Sequence, residues 1–305
     1  MQKKIDHAVA EISTVLLGKE KAIRLALCCL IAKGHLLIED LPGMGKTTLS
    51  QALAKVLGLQ YKRVQFTSDI LPADILGVSI FDRKSANFQF MPGPIFTQVL
   101  LADEINRTSP KSQSALLEAM EEGQVTIEGS TRELPAPFFV IATQNPSNQA
   151  GTYPLPESQL DRFLMRLSLG YPDREAERKL LLGEDTRKKL HRLQAIIDVH
   201  ELVNIQKAVD EVHCSDNLID YVQRLVEYSR FNDNFPVGIS PRGAQALLCT
   251  AKAWALMSGR GHTVPEDVQI VLPSVVEHRL SAMVNYQSTS KSLSRKLLEE
   301  VSVII

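Results

Sequence analysis

Neither sign of charge prevails in this sequence: 34 lysines and arginines stand against 35 aspartates and glutamates, leaving a net charge of −1. Without a cationic excess the chain as a whole is not a bulk phosphate binder of the nucleic-acid kind, although a local basic patch stays open. Long apolar runs are also lacking. Nothing approaches the roughly 18 apolar residues of a membrane span, and the longest run near the start, Leu25 to Ala32, is too short. Met1 to Ser13 is polar with helical spacing and shows no apolar core of a signal peptide. Cysteine is sparse. Cys28, Cys29, Cys214 and Cys249 share no CxxC spacing and no neighbouring histidine cluster, which argues against a zinc site or a disulfide framework and for free thiols. These absences together lead us to expect a cytoplasmic protein with no membrane span.

What is present is a core-forming composition, 44% hydrophobic over 305 residues, enough for one large domain or two ordinary ones. The first half alternates short apolar runs with helical spacing. His35 to Glu39, Tyr61 to Phe66, Thr97 to Ala102, Phe138 to Ala142 and Arg166 to Leu169 read as strands, and Ala22 to Ala32 and Thr47 to Val56 as helices. Near-continuous apolar strands separated by helices predict a parallel sheet of five strands covered on both faces, an α/β fold. Two segments break the rhythm. Val78 to Phe90, around the polar tip Asp82 to Asn87, and Gln124 to Leu134 read as hairpins that project from the sheet. After Tyr171-Pro172-Asp173 strand signals fade. Glu175 to Asp185, Ala195 to Val212, Asn217 to Arg230, a helix started by Ser240-Pro241-Arg242 and another opened by Pro265 make a small all-α lid. The expected division is a core over 1–172, a linker over 173–198 and a helical lid domain over 199–305.

Chemistry concentrates at strand ends. Asp40-Leu41-Pro42-Gly43-Met44-Gly45-Lys46-Thr47 lies between a strand and a helix. Glycines let backbone N–H groups converge on phosphate oxygens, and the helix N-terminus adds a favourable field for anions. Pro42, Gly43, Met44, Gly45, Lys46, Thr47 and Thr48 are therefore the expected nucleotide ligands, with Lys46 on the β- and γ-phosphates of ATP and the Thr47 hydroxyl on Mg2+. Asp40 replaces the usual first glycine; Asp tolerates left-handed backbone better than most residues, which leaves the loop able to close. Asp103 and Glu104 end the Leu100-Leu101-Ala102 strand. Asp103 is the expected metal ligand and Glu104 the base that polarises the attacking water, which favours turnover over passive binding and hydrolysis over kinase chemistry. Asn145 ends the next strand, where it can sense the γ-phosphate; by itself Asn145-Pro146 would be an ordinary turn. Arg162, in Leu160-Asp161-Arg162-Phe163, fits an arginine finger for a neighbouring subunit, and Arg242 a lid residue that contacts the γ-phosphate. A surface ion pair is the bland alternative for Arg162. For Arg107, Lys111 and Arg132 a solvated surface role is at least as well supported.

The order of these motifs resembles that of AAA+ ATPases. Within them the chain is similar to the MoxR family, in Phe66-Thr67-Ser68-Asp69, Asp74-Ile75-Leu76-Gly77, Pro92-Gly93-Pro94-Ile95-Phe96, Ala102 to Arg107, Ala115 to Met120 and Tyr153 to Phe163. The resemblance covers most of residues 15 to 180, with a looser match at Ser240-Pro241-Arg242. It implies the clade with a hairpin inserted in helix two, a sheet with the Asp-Glu strand beside the sensor strand, and hexameric rings with sites between subunits. Arg162 would then be the trans finger and Arg242 the second sensor. It also implies chaperone-like maturation or activation of a protein client, with a partner bearing a von Willebrand factor A domain. Against this stand a DNA- or RNA-translocating motor, the ATPase subunit of a metal chelatase, and a nucleotide-gated scaffold. The hairpin tips carry Arg83, Lys84 and Arg132 but also Asp82, Glu128 and Glu133, a poor funnel for nucleic acid. The MoxR match exceeds the chelatase match, and Glu104, Asn145 and Arg162 speak against a scaffold without turnover.

Overall fold

A computed structural model describes residues 1–84, 86–145, 152–183, 185–280 and 292–303. The expected turn at Asn145-Pro146, the hairpin-tip Ser85, Glu184 of the linker and parts of the lid fall wholly or partly outside those ranges. In chain order the elements are α1 (Gln2–Ser13), α2 (Glu20–Ile31), β1 (Leu36–Glu39), α3 (Lys46–Val56), β2 (Tyr61–Gln65), α4 (Pro72–Leu76), β3 (Gly77–Asp82), β4 (Asn87–Pro92) and β5 (Val99–Asp103). There follow α5 (Pro110–Glu122), β6 (Gln124–Ile127), β7 (Ser130–Glu133), β8 (Phe139–Gln144), α6 (Glu157–Leu160), β9 (Met165–Leu167), α7 (Arg174–Leu181) and α8 (Thr186–Arg192). The helical remainder is α9 (Val199–Asp210), α10 (Asp216–Phe231), α11 (Pro241–Met257), α12 (Pro265–Leu280) and α13 (Leu293–Glu300).

The main sheet has the order β2-β5-β8-β1-β9, and every pairing is parallel. Strand side chains alternate between faces, and here both faces are covered. Leu36, Ile38, Val99, Leu101, Phe139 and Ile141 enter one apolar cluster, while Leu37, Leu100, Ala102, Val140 and Ala142 enter another with Leu116, Leu117 and Met120 of α5. This double burial is why the strands read as continuous apolar runs. β2 departs from that pattern, with exposed or half-buried residues throughout, because it is the sheet edge.

The two hairpins form separate two-stranded sheets, β3-β4 and β6-β7, as the sequence predicted. They are tied together: the Arg132 guanidinium of β7 lies 4.1 Å from the ring centre of Phe90 in β4, a cation–π contact. Phe90 also meets the edge of Phe96 at 5.7 Å.

The first apolar cluster continues from the sheet through α1 and α2 into Leu247, Ala251 and Trp254 of α11 and Val271, Leu272 and Val275 of α12. The helical part therefore packs on the sheet unit through one contiguous core. The charged stretch expected to be a linker holds α7 and α8 and is moored to α3: Ile196 and Ile197 donate to the Val56 carbonyl at 2.8 and 3.1 Å, and Lys55 caps the Leu190 and His191 carbonyls. The Ser240 hydroxyl caps α11 as the sequence suggests, accepting from Gly243 N–H at 3.0 Å, and Asp173 caps α7 by accepting from Ala176 N–H at 2.8 Å.

Candidate active site

Because all main-sheet strands run the same way, their C-terminal ends converge on one edge, and the polar strand-end residues meet there. The loop after β1 turns through Gly43 (φ 85°) and Gly45 (φ 93°) into α3. Those values suit glycine, and at Gly45 a Cβ would also come within 2.6 Å of Leu16. Among the described residues, the consecutive N–H groups of Gly43 to Thr48 find no protein acceptor. A row of unpaired donors at a helix start is an anion cradle, and this fits a polyphosphate. The Thr47 hydroxyl, half-buried on the first turn of α3, has the chemistry for a hard cation beside it.

Asp40 does not do what its left-handed tolerance suggested. Its φ is not positive. Instead its carboxylate is an acceptor hub: Oδ2 takes Leu169 N–H and Gly170 N–H, both at 2.6 Å, and the Ser168 hydroxyl at 3.1 Å, while Oδ1 takes Leu41 N–H at 2.9 Å. Asp40 thus fastens the phosphate loop to the segment after β9. A glycine could not, which explains the departure from the usual pattern.

Lys46 is buried and bonds the Asp40 carbonyl and, at 3.0 Å, Asn145 Oδ1. Burial lowers its ammonium pKa, and the carboxylates of Asp40, Asp103, Glu104 and Glu39 oppose that shift. Asn145 spans the site: its Nδ2 donates to Glu104 Oε1 at 3.0 Å. The amide therefore bridges the loop lysine and the acid. Glu104 sits in left-handed backbone (φ 58°), an uncommon conformation for a residue with a side chain and one that collects at functional sites. Its N–H is held by the Thr143 hydroxyl at 2.9 Å, and that hydroxyl's own proton goes to Asp103 Oδ1 at 2.5 Å. Thr143 thereby fixes both acids.

Sequence reasoning missed the contribution of β2. Arg63 donates to Asp103 Oδ2 through Nε (3.0 Å) and Nη2 (2.6 Å), and Gln65 Nε2 donates to Glu104 Oε2 at 2.9 Å. The available signal was the polar alternation of Tyr61 to Gln65 among otherwise apolar strands. Arg107, left as a surface residue, pairs with Glu104 at 3.0 Å at the exposed margin of the site. Lys111 is exposed. Beside the loop opens a cavity of about 720 Å3 whose walls include Gly18, Leu25, Leu41, Leu169, Pro273 and Ser274, so both the sheet unit and α12 contribute.

Arg162 and Arg242 come together, but far from this edge. Leu164 donates to the His35 carbonyl at 2.9 Å, which places the Asp161 to Leu164 segment at the N-terminal end of β1. The phosphate loop leaves the C-terminal end, and a four-residue strand is about 13 Å long. Glu121, at the end of α5, accepts Arg162 on one oxygen and Arg242 on the other, each at 3.0 Å. Asp161 lies 3.9 Å from Arg242 and accepts Arg279 at 2.6 Å. Arg279 is buried, and it also bonds the Phe163 carbonyl at 2.9 Å. Below this cluster His35 is held neutral. Its Nδ1 accepts Val140 N–H at 3.0 Å and its Nε2 faces the Met120 carbonyl at 3.2 Å; burial, with the nearby Arg242 charge, pushes its pKa down to about 4.

An anion cradle, paired acids and a strand-end amide on this sheet, with a helical lid, fit an ATPase of the AAA+ class. The description "ATPase family associated with various cellular activities (AAA)" matches residues 35–165, and an AAA lid domain matches residues 228–300. The chain is 46% identical over 276 residues to the YeaC protein of Bacillus subtilis, covering 90% of this chain and 86% of that one. It is 35% identical over 303 residues to the chaperone MoxR1 of Mycobacterium tuberculosis, covering 96% and 79%. A crystal structure of a candidate ATPase from Cytophaga hutchinsonii superposes with a TM-score of 0.89 at 35% identity, over 99% of this chain and 95% of that one. The chain belongs to the MoxR family of AAA+ ATPases. Among the described residues no helix is long and apolar enough to cross a membrane.

Proposed function

We propose that this chain hydrolyses ATP at sites shared between neighbouring copies in a ring, a hexamer by family resemblance, and uses the cycle to remodel a protein client. The observation that carries the reading is the separation of the phosphate cradle from Arg162 and Arg242 by the length of the sheet. An arginine pair held at the wrong end for its own nucleotide is suitably placed for a neighbour's. Arg162 would serve as the finger and Arg242 as the second sensor, both in trans, once the neighbour's phosphates outcompete Glu121 for them.

In this reading the amides of Gly43 to Thr48 and Lys46 cradle the phosphates, and the cavity of about 720 Å3 beside the loop takes the base, a size ordinary for such ligands. Thr47 and Asp103 hold Mg2+, which supplies charge neutralisation at the β- and γ-phosphates. Glu104 orients and deprotonates the attacking water, and Asn145 reports the γ-phosphate to Lys46 and Glu104. With the expected division into a core over 1–172, a linker over 173–198 and a lid over 199–305, α12 joins the two ends of the sheet: Pro273 and Ser274 line the cavity, and Arg279 holds the finger segment, so a change of lid angle at the cavity would reach Arg162 through Arg279.

A protein client suits the hairpins better than nucleic acid does. Val78, Ile80, Phe81, Phe88 and Met91 are exposed on β3 and β4, and the tip charges are mixed. The name of the MoxR1 relative supports a chaperone role, the family resemblance supports a von Willebrand factor A domain partner, and the free cysteines fit a reducing, cytoplasmic setting. The test is ATP hydrolysis per chain against protein concentration, with Mg2+ and with chelator. A rate that climbs with concentration and needs Mg2+ is expected; a concentration-independent rate would contradict shared sites.

A further inference from the structure

The Asp103 carboxylate is almost fully engaged before any metal is bound. Oδ2 receives two N–H groups of Arg63, at 3.0 and 2.6 Å, and Oδ1 receives the Thr143 hydroxyl at 2.5 Å. The Asp103 side chain is 9% exposed and that of Arg63 46%. Arg63 is also steadied by Gln65, whose Oε1 accepts Nη2 at 2.9 Å. A buried carboxylate needs a partner charge, and Arg63 supplies it from the neighbouring strand, one side-chain step along the face that carries Gln65 over the site. Each carboxylate oxygen offers about two acceptor positions, so Oδ2 is full and Oδ1 keeps one.

We propose that Arg63 is a built-in competitor of the magnesium ion at Asp103. This rests on the assignment of the metal to Thr47 and Asp103. An incoming cation, directly or through its water, must either take the last position on Oδ1 with a guanidinium charge close by or displace Arg63 from Oδ2. Both routes weaken metal binding relative to a site without the guanidinium. Arg63 therefore acts as a positioning residue that sets how strongly nucleotide and metal depend on each other. It keeps Asp103 compensated when the site is empty and lowers the affinity for a metal that must leave with the product.

The experiment is equilibrium binding of ADP to the full chain with chelator and with saturating Mg2+, for wild type, Arg63→Gln and Arg63→Lys. The readout is the ratio of the two dissociation constants, which no defect in turnover can alter. In Arg63→Gln the metal should improve ADP binding about tenfold more than in wild type, the order expected for removing one nearby unit charge at partial exposure. Arg63→Lys keeps the charge, and its ratio should stay within about threefold of wild type. A ratio in Arg63→Gln equal to or below that of wild type overturns the proposal and makes Arg63 an orienting group that helps the metal. An equal rise in both variants also overturns it, since geometry and not charge would then be responsible. If wild type itself shows no effect of Mg2+ on ADP, the metal assignment falls first and this inference with it. Should Arg63→Gln fail to fold, Arg63→Met carries the same neutralisation and the same expected ratio.

Discussion

The two ends of the sheet are built on opposite principles. At the C-terminal end polar groups are crowded and mutually bonded, with Lys46, Asn145, Glu104, Thr143, Asp103 and Arg63 forming one connected chain of contacts. Beside them runs a row of amides that find no protein acceptor among the described residues. At the N-terminal end three arginines gather around two carboxylates, with Arg162 and Arg242 sharing Glu121 and Arg279 held by Asp161. The first end is preorganised; the second is held by an ion pair weak enough to exchange. One end reads as a receptor for phosphates and the other as a donor of cations, and on the proposed reading a single copy carries halves of two different sites.

The largest effect expected of breaking this pairing is at the arginine end. Arg162→Ala should lower hydrolysis by about 10³-fold or more, as loss of a finger does, with ADP affinity of the isolated chain unchanged in a binding titration. At the phosphate end Glu104→Gln should cost roughly 10²–10⁴-fold in turnover while nucleotide binding persists, measurable by steady-state assay beside equilibrium binding. Stability separates the ends as well. Arg279→Ala removes the buried cation that holds Asp161 and the Phe163 carbonyl. About 3 kcal/mol of stability should be lost, seen as a melting temperature lower by roughly 6 °C, together with reduced hydrolysis because the Arg162 segment loosens. Asp40→Ala leaves Leu169 and Gly170 N–H without their acceptor, at about 1–3 kcal/mol, and should weaken nucleotide binding in a titration without touching Glu104.

The smallest effect is pH dependence. The His35 pKa lies near 4 in the folded chain and near 6.5 unfolded. The unfolded state binds the extra proton between those values, so stability is full above about pH 6.5 and falls as pH drops toward 4. His278, also lowered by burial, acts in the same direction. His35→Gln should therefore shrink, without abolishing, the difference in melting temperature between pH 7.5 and pH 5.

Much of the phosphate end was legible in the sequence because its chemistry is local. A strand end, a glycine turn and a helix start put Gly43 to Thr48 in one loop, and apolar runs ending in Asp103-Glu104 and Thr143-Gln144-Asn145 put their tips on one edge of any parallel sheet. The sheet order and both hairpins followed from the family resemblance and from strand-like alternation. Less could be read where meaning depends on contacts distant along the chain. Asp40 was judged by backbone tolerance, yet its role is to accept N–H groups from residues 169 and 170. Arg63 and Gln65 carry no signal beyond the alternation of a strand, and only the register with Asp103 shows them over the acids. The partnership of Glu121 with Arg162 and Arg242 joins three remote segments, and no local pattern announces it.

The most direct test of the account is to mix two inactive variants, Arg162→Ala and Glu104→Gln, and follow ATP hydrolysis. A shared site between an Arg162→Ala copy, which supplies Glu104, and a Glu104→Gln copy, which supplies Arg162, is complete. The account predicts that activity returns on mixing, at a level set by the fraction of such interfaces. Mixtures that stay as inactive as either variant alone, while still assembling, would contradict a site made from the two ends of neighbouring chains.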